Sequence, residues 1–268
     1  MGLAGQGQVL CRGSRPPALF MLLVVTIIRL GSNHTYAALG PEGFAILQVL
    51  FRDAPDRQVI SIQPGGLVST LTQQGLDALI VSEDWSSAVD VQTARDAGIP
   101  VVEVKRHISI ANIVANIQLL GALTGAEQTA NRWIDSIDKG LARIGASVAP
   151  YPPTRVLVLS PEAYTQGQGA LITELIEMAN GINVAAAAGI PEARQIDDQQ
   201  IRDLSPDVIL LIGWTPEAAT AFASSPLYRG ITAFDRDHVY LITPPGKDPA
   251  SLVQDVQGLA DLMHPVEF

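Results

Sequence analysis

Short apolar runs alternate with stretches of helical periodicity along most of this sequence. Apolar runs that are rich in β-branched residues and bounded by turn residues predict buried strands. They lie at residues 58–62, 76–82, 99–105, 155–160, 207–213 and 238–242. Apolar positions at helical spacing predict helices at residues 87–98, 170–181, 196–206 and 251–265, with Gly98 and Gly181 ending the first two. This alternation is typical of βαβ units, so we predict an α/β fold with parallel sheets.

The middle of the chain follows a different pattern. From Ser109 to about Gly145, apolar residues recur at helical spacing with little punctuation. Ser109 suits an N-cap, and Gly125 is the expected break if the segment forms two helices rather than one. Prolines then interrupt the chain within residues 147–155. We therefore predict two Rossmann-like lobes joined by a long helix.

The predicted domain boundaries follow from these patterns. The N-terminal lobe covers residues 39–108, the linking helix 109–147 and the C-terminal lobe 148–268. Residues 1–38 form either a leader or the first strand of the first lobe. The apolar run 18–28 follows Arg12 and Arg15, as in a signal peptide, whereas the β-branched stretch 23–30 also reads as a buried strand.

The two predicted lobes contain a similar sequence pattern. LTQQGLDALIVSEDW (71–85) and IRDLSPDVILLIGW (201–214) both contain a short helix, an aspartate, a buried strand and a tryptophan. This places Trp85 and Trp214 at the carboxyl ends of corresponding strands. Ligands bind at that edge of open α/β sheets, so two facing lobes predict a cleft there.

Charge and composition exclude several functions. The formal net charge is -10 and the pI is about 4.7, which argues against binding to nucleic acid. Cys11 is the only cysteine, so the chain has no internal disulfide and no thiolate metal cluster. The sequence contains no P-loop, no G-x-S-x-G elbow and no H-E-x-x-H motif, and we identify no catalytic residues.

Several stretches, taken in order, resemble one known family. They are GLDALIVSEDW (75–85), ARDAGIPVV (94–102), NIQLLGALTGAEQTANRWIDSI (116–137), VLVLSPEAYTQGQGALITELIEMANGINVA (156–185), ARQIDDQQIRDLSPDVILLIGW (193–214) and SSPLYRGITAFDRDHVYLI (224–242). In order and spacing the chain resembles the helical-backbone (class III) periplasmic substrate-binding proteins of ABC importers for cobalamin, ferric siderophores and haem. The resemblance covers roughly residues 58–265.

The resemblance carries expectations about function. It implies an extracytoplasmic, monomeric protein that closes little on its ligand and hands it to an ABC permease/ATPase complex. It implies no cofactor of its own, although the captured chelate would contain iron or cobalt. Many family members dock on the permease through a glutamate in each lobe. The corresponding positions here are Ser69 and Gln199, and neither carries that charge.

The loop Tyr164–Gly169 is a candidate ligand contact. It lies between a predicted strand and a predicted helix, so Tyr164 and Gln166 are expected at the cleft with the helix N-terminus behind them. The positive end of a helix dipole suits carboxylates, phosphates or propionates. The alternative is a plain βα connection in which glycines relieve strain.

Further candidates are aromatic, basic or imidazole side chains at the same edge. Trp85, Tyr164 and Trp214 would form flat walls for a corrin, a porphyrin or a catecholate siderophore. Arg106 could pair with a ligand carboxylate, and His107 could ligate iron or cobalt. The alternatives are rim or core packing for the aromatic residues and a solvated loop for the other two.

We therefore expect a binding protein that captures a metal chelate between two lobes, and two alternatives stay open. The first is a protein that binds a bare zinc or manganese ion through His34, His107 and cleft carboxylates. The chain has four histidines without short spacing, which leaves its metal ligands unknown. The second is a cytosolic sensor or an enzyme that kept the fold, an interpretation that the uncharged Ser69 and Gln199 favour.

Overall fold

The computed structural model describes residues 34–67, 75–85, 89–191, 193–246 and 248–265. Both interpretations of the apolar run near the N-terminus concern residues outside these ranges. Within them, the first strand begins at His34.

Sheet A forms the first lobe and is entirely parallel. Its strands are β1 (His34–Leu39), β2 (Arg57–Ile62), β3 (Ala78–Ser82) and β4 (Val101–Val104). The order across the sheet is β2-β1-β3-β4. Every residue of β3 is buried, because parallel strands are covered on both faces and need apolar side chains on each. The predicted strands at residues 58–62, 76–82 and 99–105 are confirmed as β2, β3 and β4, whereas β1 was not predicted.

Two helices pack on sheet A within the described residues: α1 (Pro41–Leu50) and α2 (Val89–Asp96). Pro41 stands in the first turn of α1, where its missing N–H costs nothing. Gly40 precedes it with φ 98°, a conformation that favours glycine. The lobe thus opens as strand, helix, strand, and residues 43–50 belong to α1.

Two helices connect the lobes: α3 (Ile110–Thr124) and α4 (Glu127–Val148). Ser109 caps α3, since its Oγ accepts the Asn112 N–H at 3.1 Å. Gly125 adopts the left-handed conformation at φ 67° and separates the two helices. The N-cap and the helix break are both confirmed, and the 22-residue α4 is the long helix that leads into the second lobe.

Sheet B forms the second lobe and is mixed. Its strands are β5 (Thr154–Ser160), β6 (Tyr164–Thr165), β7 (Gly181–Asn183), β8 (Arg194–Gln195), β9 (Val208–Ile212) and β10 (Val239–Ile242). The order is β10-β9-β5-β6-β8, and β7 also pairs with β5. The strands β10, β9, β5 and β7 are parallel, as expected. The short strands β6 and β8 add antiparallel pairing that the sequence did not predict.

The helices of the second lobe cover both faces of sheet B. They are α5 (Leu171–Met178), α6 (Val184–Ala187), α7 (Asp198–Leu204), α8 (Pro216–Ala223), α9 (Thr232–Asp235) and α10 (Leu252–Met263). Short 3₁₀ turns occur at Glu83–Trp85, Pro161–Ala163, Pro226–Tyr228 and Pro249–Ser251.

One predicted helix end is wrong. Gly181 does not end α5: Asn180 takes the left-handed conformation at φ 59°, and Gly181 is the first residue of β7. The glycine is needed there for space. A Cβ would lie 2.6 Å from Met263 Sδ and 2.7 Å from Ile176 Cγ2.

A continuous apolar core runs through both lobes and the connecting helices. It includes Ile80 of sheet A, Ile117 of α3, Ile137 of α4 and Leu210 of sheet B. Because such a core resists rearrangement, only small movements between the lobes are expected. Within the described residues, no helix is both long and apolar enough to cross a membrane.

Candidate ligand-binding cleft

A cavity of about 500 Å³ lies between the lobes, a volume suited to a small organic ligand. The first lobe lines it with Pro41, Glu42, Arg106, His107 and Ile108. The second lobe lines it with Gln166, Ala170, Leu171, Ile172, Ile212 and the segment 244–246. These residues end or follow β1, β4, β6, β9 and β10 or begin α5. The sequence predicted a cleft at this edge.

Among the predicted ligand contacts, the structure brings Arg106, His107 and Gln166 together around this cavity. The aromatic candidates Trp85, Tyr164 and Trp214 are not among the residues that line it. The apolar part of the lining therefore consists of aliphatic residues and proline instead of the predicted aromatic walls.

The loop that carries Arg106 and His107 is held by side chains of α3. Asn116 is buried, and it receives the Lys105 N–H at 3.0 Å while donating to the Lys105 carbonyl at 2.7 Å. Asn112 donates to the Arg106 carbonyl at 3.1 Å. Because these bonds fix the backbone on both sides of Arg106, its side chain and that of His107 start from a defined position at the cleft.

His107 is partly buried at the cleft. Burial holds the pKa of its imidazole below the ordinary 6.5, and the nearby Glu42 carboxylate only partly offsets this. Its Nε2 atom is buried and has no hydrogen-bond partner among the described residues. A neutral imidazole therefore predominates at neutral pH.

Arg106 lies at the rim. Its Nε atom is 3.4 Å from Asp84 Oδ1, and both side chains are substantially exposed. An exposed pair of this kind is weak and exchanges readily. The guanidinium can therefore turn to a ligand carboxylate at little cost.

Glu42 is a cleft residue that sequence reasoning missed. It lies in the first turn of α1, and its carboxylate accepts a hydrogen bond from the Ser82 hydroxyl at the end of β3. Gly40 permits this close approach, since a Cβ there would collide with the Ser82 side chain. The signal was the order strand, Gly, Pro, Glu in residues 34–42, which predicts a helix beginning at a sheet edge once that strand is recognised.

A buried polar network holds the loop that carries Gln166. Asn183 donates to the Gln166 carbonyl at 2.7 Å and to Thr173 Oγ1 at 2.8 Å. The Thr173 hydroxyl donates to the Gly167 carbonyl at 2.7 Å. The loop is thus fixed from behind, and Gln166 and the start of α5 line the cleft.

The N-termini of α1 and α5 both lie at the cavity. Their N-cap residues are Gly40 and Ala170, which have no polar side chain to satisfy the first-turn N–H groups. The positive dipole end of a helix favours an anionic partner. The polar part of the cleft is thus suited to a ligand with acidic groups.

The aromatic candidates have structural positions. Trp214 donates its indole N–H to the Leu159 carbonyl at 3.0 Å and packs on Phe222, with ring centroids 5.2 Å apart. Tyr164 belongs to β6 and is 42% exposed. Trp85 packs on the apolar cluster beside sheet A. All three lie near the expected edge, but their rings do not enter the cavity.

The structure contradicts the histidine pair of the bare-metal alternative. His34 lies at the amino end of β1, where its Nδ1 atom is 3.3 Å from Asp77 Oδ1. His107 follows the carboxyl end of β4, at the opposite edge of the same parallel sheet. The two imidazoles therefore cannot share an ion. In the described part of the chain, no group of three or more His, Cys, Asp or Glu side chains could hold a metal.

One of the two predicted docking positions lies in the described residues. Gln199 is exposed on α7 and donates to Asp203 Oδ1 at 2.8 Å. Of its acidic neighbours, Asp197 caps α7 and Asp198 accepts the Tyr228 hydroxyl at 2.6 Å. Ser69 lies outside the described residues.

Comparison with known proteins identifies the family. A family model described as periplasmic binding protein matches residues 77–245, more than half of the chain. The chain belongs to this periplasmic binding protein family. It is a substrate-binding protein and not an enzyme, as the sequence predicted. Membership of this family makes it an extracytoplasmic binding protein.

Individual relatives are consistent with this assignment. The chain is 24% identical to the uncharacterized ABC transporter substrate-binding lipoprotein YvrC of Bacillus subtilis (strain 168), over 91% of this chain and 81% of that protein. It is 26% identical to a cobalamin-binding protein of Halobacterium salinarum, over 79% of this chain and 60% of that protein.

A solved structure confirms the predicted fold class. The periplasmic heme-binding protein RhuT from Roseiflexus sp. RS-1, in its apo form, superposes with a TM-score of 0.71 at 18% identity. The match covers 87% of this chain and 98% of that one. The arrangement of two α/β lobes joined by a helical segment is therefore shared.

Proposed function

We propose that this protein captures a metal chelate of the cobalamin, ferric siderophore or haem class between its lobes and delivers it to an ABC importer. The observation that carries this proposal is the inter-lobe cavity of about 500 Å³ at the carboxyl edge of both sheets. Its walls are mostly apolar, and a few polar groups line it from both lobes. This combination suits an organic ligand that has apolar faces and acidic substituents.

The apolar wall supplies most of the expected affinity. Leu171, Ile172, Ile212 and the prolines of segment 244–246 face the cavity from the second lobe. Burying apolar ligand surface against them contributes roughly 25 cal/mol for each Å² removed from water. A porphyrin, a corrin or a catecholate has enough apolar surface to use such a wall.

Polar groups would orient the chelate. Arg106 can form charge-assisted hydrogen bonds with a carboxylate or propionate. The positive dipole end of α5 adds a favourable site for the same kind of group. The Glu42 carboxylate would repel an acidic group of the ligand placed beside it. We therefore expect the acidic groups of the ligand nearer to Arg106 and α5.

Capture requires little rearrangement. The continuous core and the hydrogen-bonded loops hold the cleft residues before the ligand arrives. Binding to a pre-organised site costs less ordering entropy, which supports affinity without a large closure. We also expect a monomer, and light scattering should give the mass of one 28.4 kDa chain.

Two observations support a chelate over a bare ion. His34 and His107 lie at opposite edges of sheet A, and the described residues contain no cluster of metal ligands. In addition, the relative from Halobacterium salinarum is described as a cobalamin-binding protein. The protein's cargo would accordingly bring its own metal ligands.

Calorimetric titration tests the proposal. The full-length protein is titrated with haemin, cyanocobalamin, several ferric siderophores and Zn²⁺ in separate experiments. We expect saturable binding of one chelate with micromolar or tighter affinity, and weaker binding by Arg106→Ala. Binding of Zn²⁺ alone would favour the bare-ion alternative. A folded protein that binds none of these ligands would contradict the chelate assignment and favour a sensor that kept the fold.

A further inference from the structure

We propose that Glu174 is a positioning residue that ties the second lobe to the start of α3 and thereby fixes the width of the cleft. Its role in ligand capture rests on the function proposed above. The contact of Glu174 with the start of α3 is present in the ligand-free protein and can be tested without any ligand.

The bond joins the two walls of one cavity. Glu174 lies on α5, directly after the cleft residues Leu171 and Ile172. Its Oε2 atom accepts the backbone N–H of Ile110 at 2.8 Å. Ile110 is the first residue of α3 and follows the loop whose residue Ile108 lines the opposite wall. A single hydrogen bond thus connects the segments that face each other across the cavity.

The chemistry makes this a strong contact for its size. The donor is a first-turn N–H at the positive end of a 15-residue helix, and the acceptor is a carboxylate. A charge-assisted hydrogen bond is stronger than a neutral one, and the helix dipole adds to it. Ser109 already accepts the N–H of Asn112, so the Ile110 N–H is left for Glu174.

The other anchors of this loop act differently. Asn112 and Asn116 bond to the loop from α3 itself, so they set the shape of the loop but not its distance from the second lobe. Glu174 comes from the facing lobe. Shape and spacing of the cleft are therefore controlled by different residues.

Loss of the tie should loosen the cleft and leave the fold intact. The lobes would then sample wider separations, and only a fraction of molecules would have the spacing that fits the ligand. Apparent affinity falls in proportion to that fraction. The core that runs through both lobes limits the movement, so a modest opening is expected instead of separation.

Pulsed electron–electron resonance on the ligand-free protein measures the spacing. Spin labels are placed at Arg95→Cys on α2 and Ala221→Cys on α8, both exposed, in a Cys11→Ser background. We expect Glu174→Ala to broaden the distance distribution toward longer values. Glu177→Ala removes an exposed carboxylate from the same helix and should leave the distribution unchanged.

The conservative variant separates positioning from simple loss of stability. Glu174→Gln keeps a side-chain oxygen that can accept the Ile110 N–H, so it should restore most of the narrow distribution. Hydrogen exchange of the Ile110 amide should speed up by roughly tenfold in Glu174→Ala, the factor expected for one hydrogen bond. Melting temperatures recorded in parallel show whether each variant is folded.

The outcomes distinguish this proposal from the proposed function. An unchanged distance distribution in folded Glu174→Ala would overturn the positioning role, whatever the protein binds. A broadened distribution together with failure of the unmodified protein to bind any chelate would contradict only the proposed function. If the positioning role and the proposed function are both correct, the unmodified protein binds haemin or cyanocobalamin. Glu174→Ala should then bind that chelate more weakly than Glu177→Ala does.

Discussion

Asn116 should be a large polar contributor to stability, because it is 2% exposed and holds both backbone groups of Lys105. Replacing it with alanine removes two hydrogen bonds that contribute about 1 kcal/mol each. Both bonds are only partly buried and join an exposed residue, so we expect water to replace them and add no penalty for buried unpaired groups. We therefore expect Asn116→Ala to lower the free energy of unfolding by about 2 kcal/mol.

Urea denaturation measures this change. For a chain of this size the expected loss shifts the unfolding midpoint by roughly 1 M with little change in slope. Asn112→Ala removes the single bond to the Arg106 carbonyl and should cost about half as much. Gln118→Ala alters an exposed position of the same helix and should stay within about 0.5 kcal/mol of the unmodified protein. The reasoning is refuted if Asn116→Ala is no more destabilised than Gln118→Ala.

Three further predictions concern pH, packing and a polar contact. Burial lowers the pKa of His107, so below about pH 6.5 the unfolded chain binds a proton more readily than the folded protein, and the free energy of unfolding falls with pH. His107→Gln should make the free energy of unfolding, measured in urea at several pH values, depend less on pH over this range. An unchanged pH dependence would contradict this prediction. Gly167→Ala would force a Cβ against the main chain of neighbouring residues and should lower the free energy of unfolding by about 1–3 kcal/mol. Gly258→Ala, which has open space around it, should leave stability unchanged or raise it. Equal melting temperatures of the two variants in calorimetry would disprove this. Tyr228→Phe removes the 2.6 Å bond to Asp198 and should cost about 1–2 kcal/mol in the same denaturation assay, and no loss would show that the bond is not stabilising.

The strands that the sequence predicted share one physical property. A parallel strand buried on both faces needs apolar side chains at every position, so β3, β5 and β9 stand out as continuous apolar runs. The strands β6 and β8 are two residues long and polar or exposed, so they leave no such pattern. Their pairing depends on the tertiary contacts of sheet B and could not be predicted from local sequence.

The candidate site was predictable in position but not in composition. Arg106 and His107 follow a strand, and any residue there must lie at the ligand edge of a parallel sheet. The direction of a side chain is set by packing, and for this reason Trp214 turns to Phe222 and the Leu159 carbonyl instead of the cleft. The segment 244–246 also lines the cavity, and its Gly246 lies close to Leu171 of α5, a contact that local sequence does not predict.

Blocking the cleft tests the central claim most directly. Ile108 lines the cavity and is 37% exposed, so Ile108→Trp should fill the cavity without disturbing the core. Leu241 is 42% exposed on β10, outside the cleft, and Leu241→Trp is the matched control. Calorimetric titration with haemin and cyanocobalamin should show micromolar or tighter binding of a chelate by the unmodified protein and by Leu241→Trp. Ile108→Trp should bind at least roughly tenfold more weakly, a loss of about 1.4 kcal/mol. Equal affinity in a folded Ile108→Trp protein would place the ligand elsewhere and contradict the account.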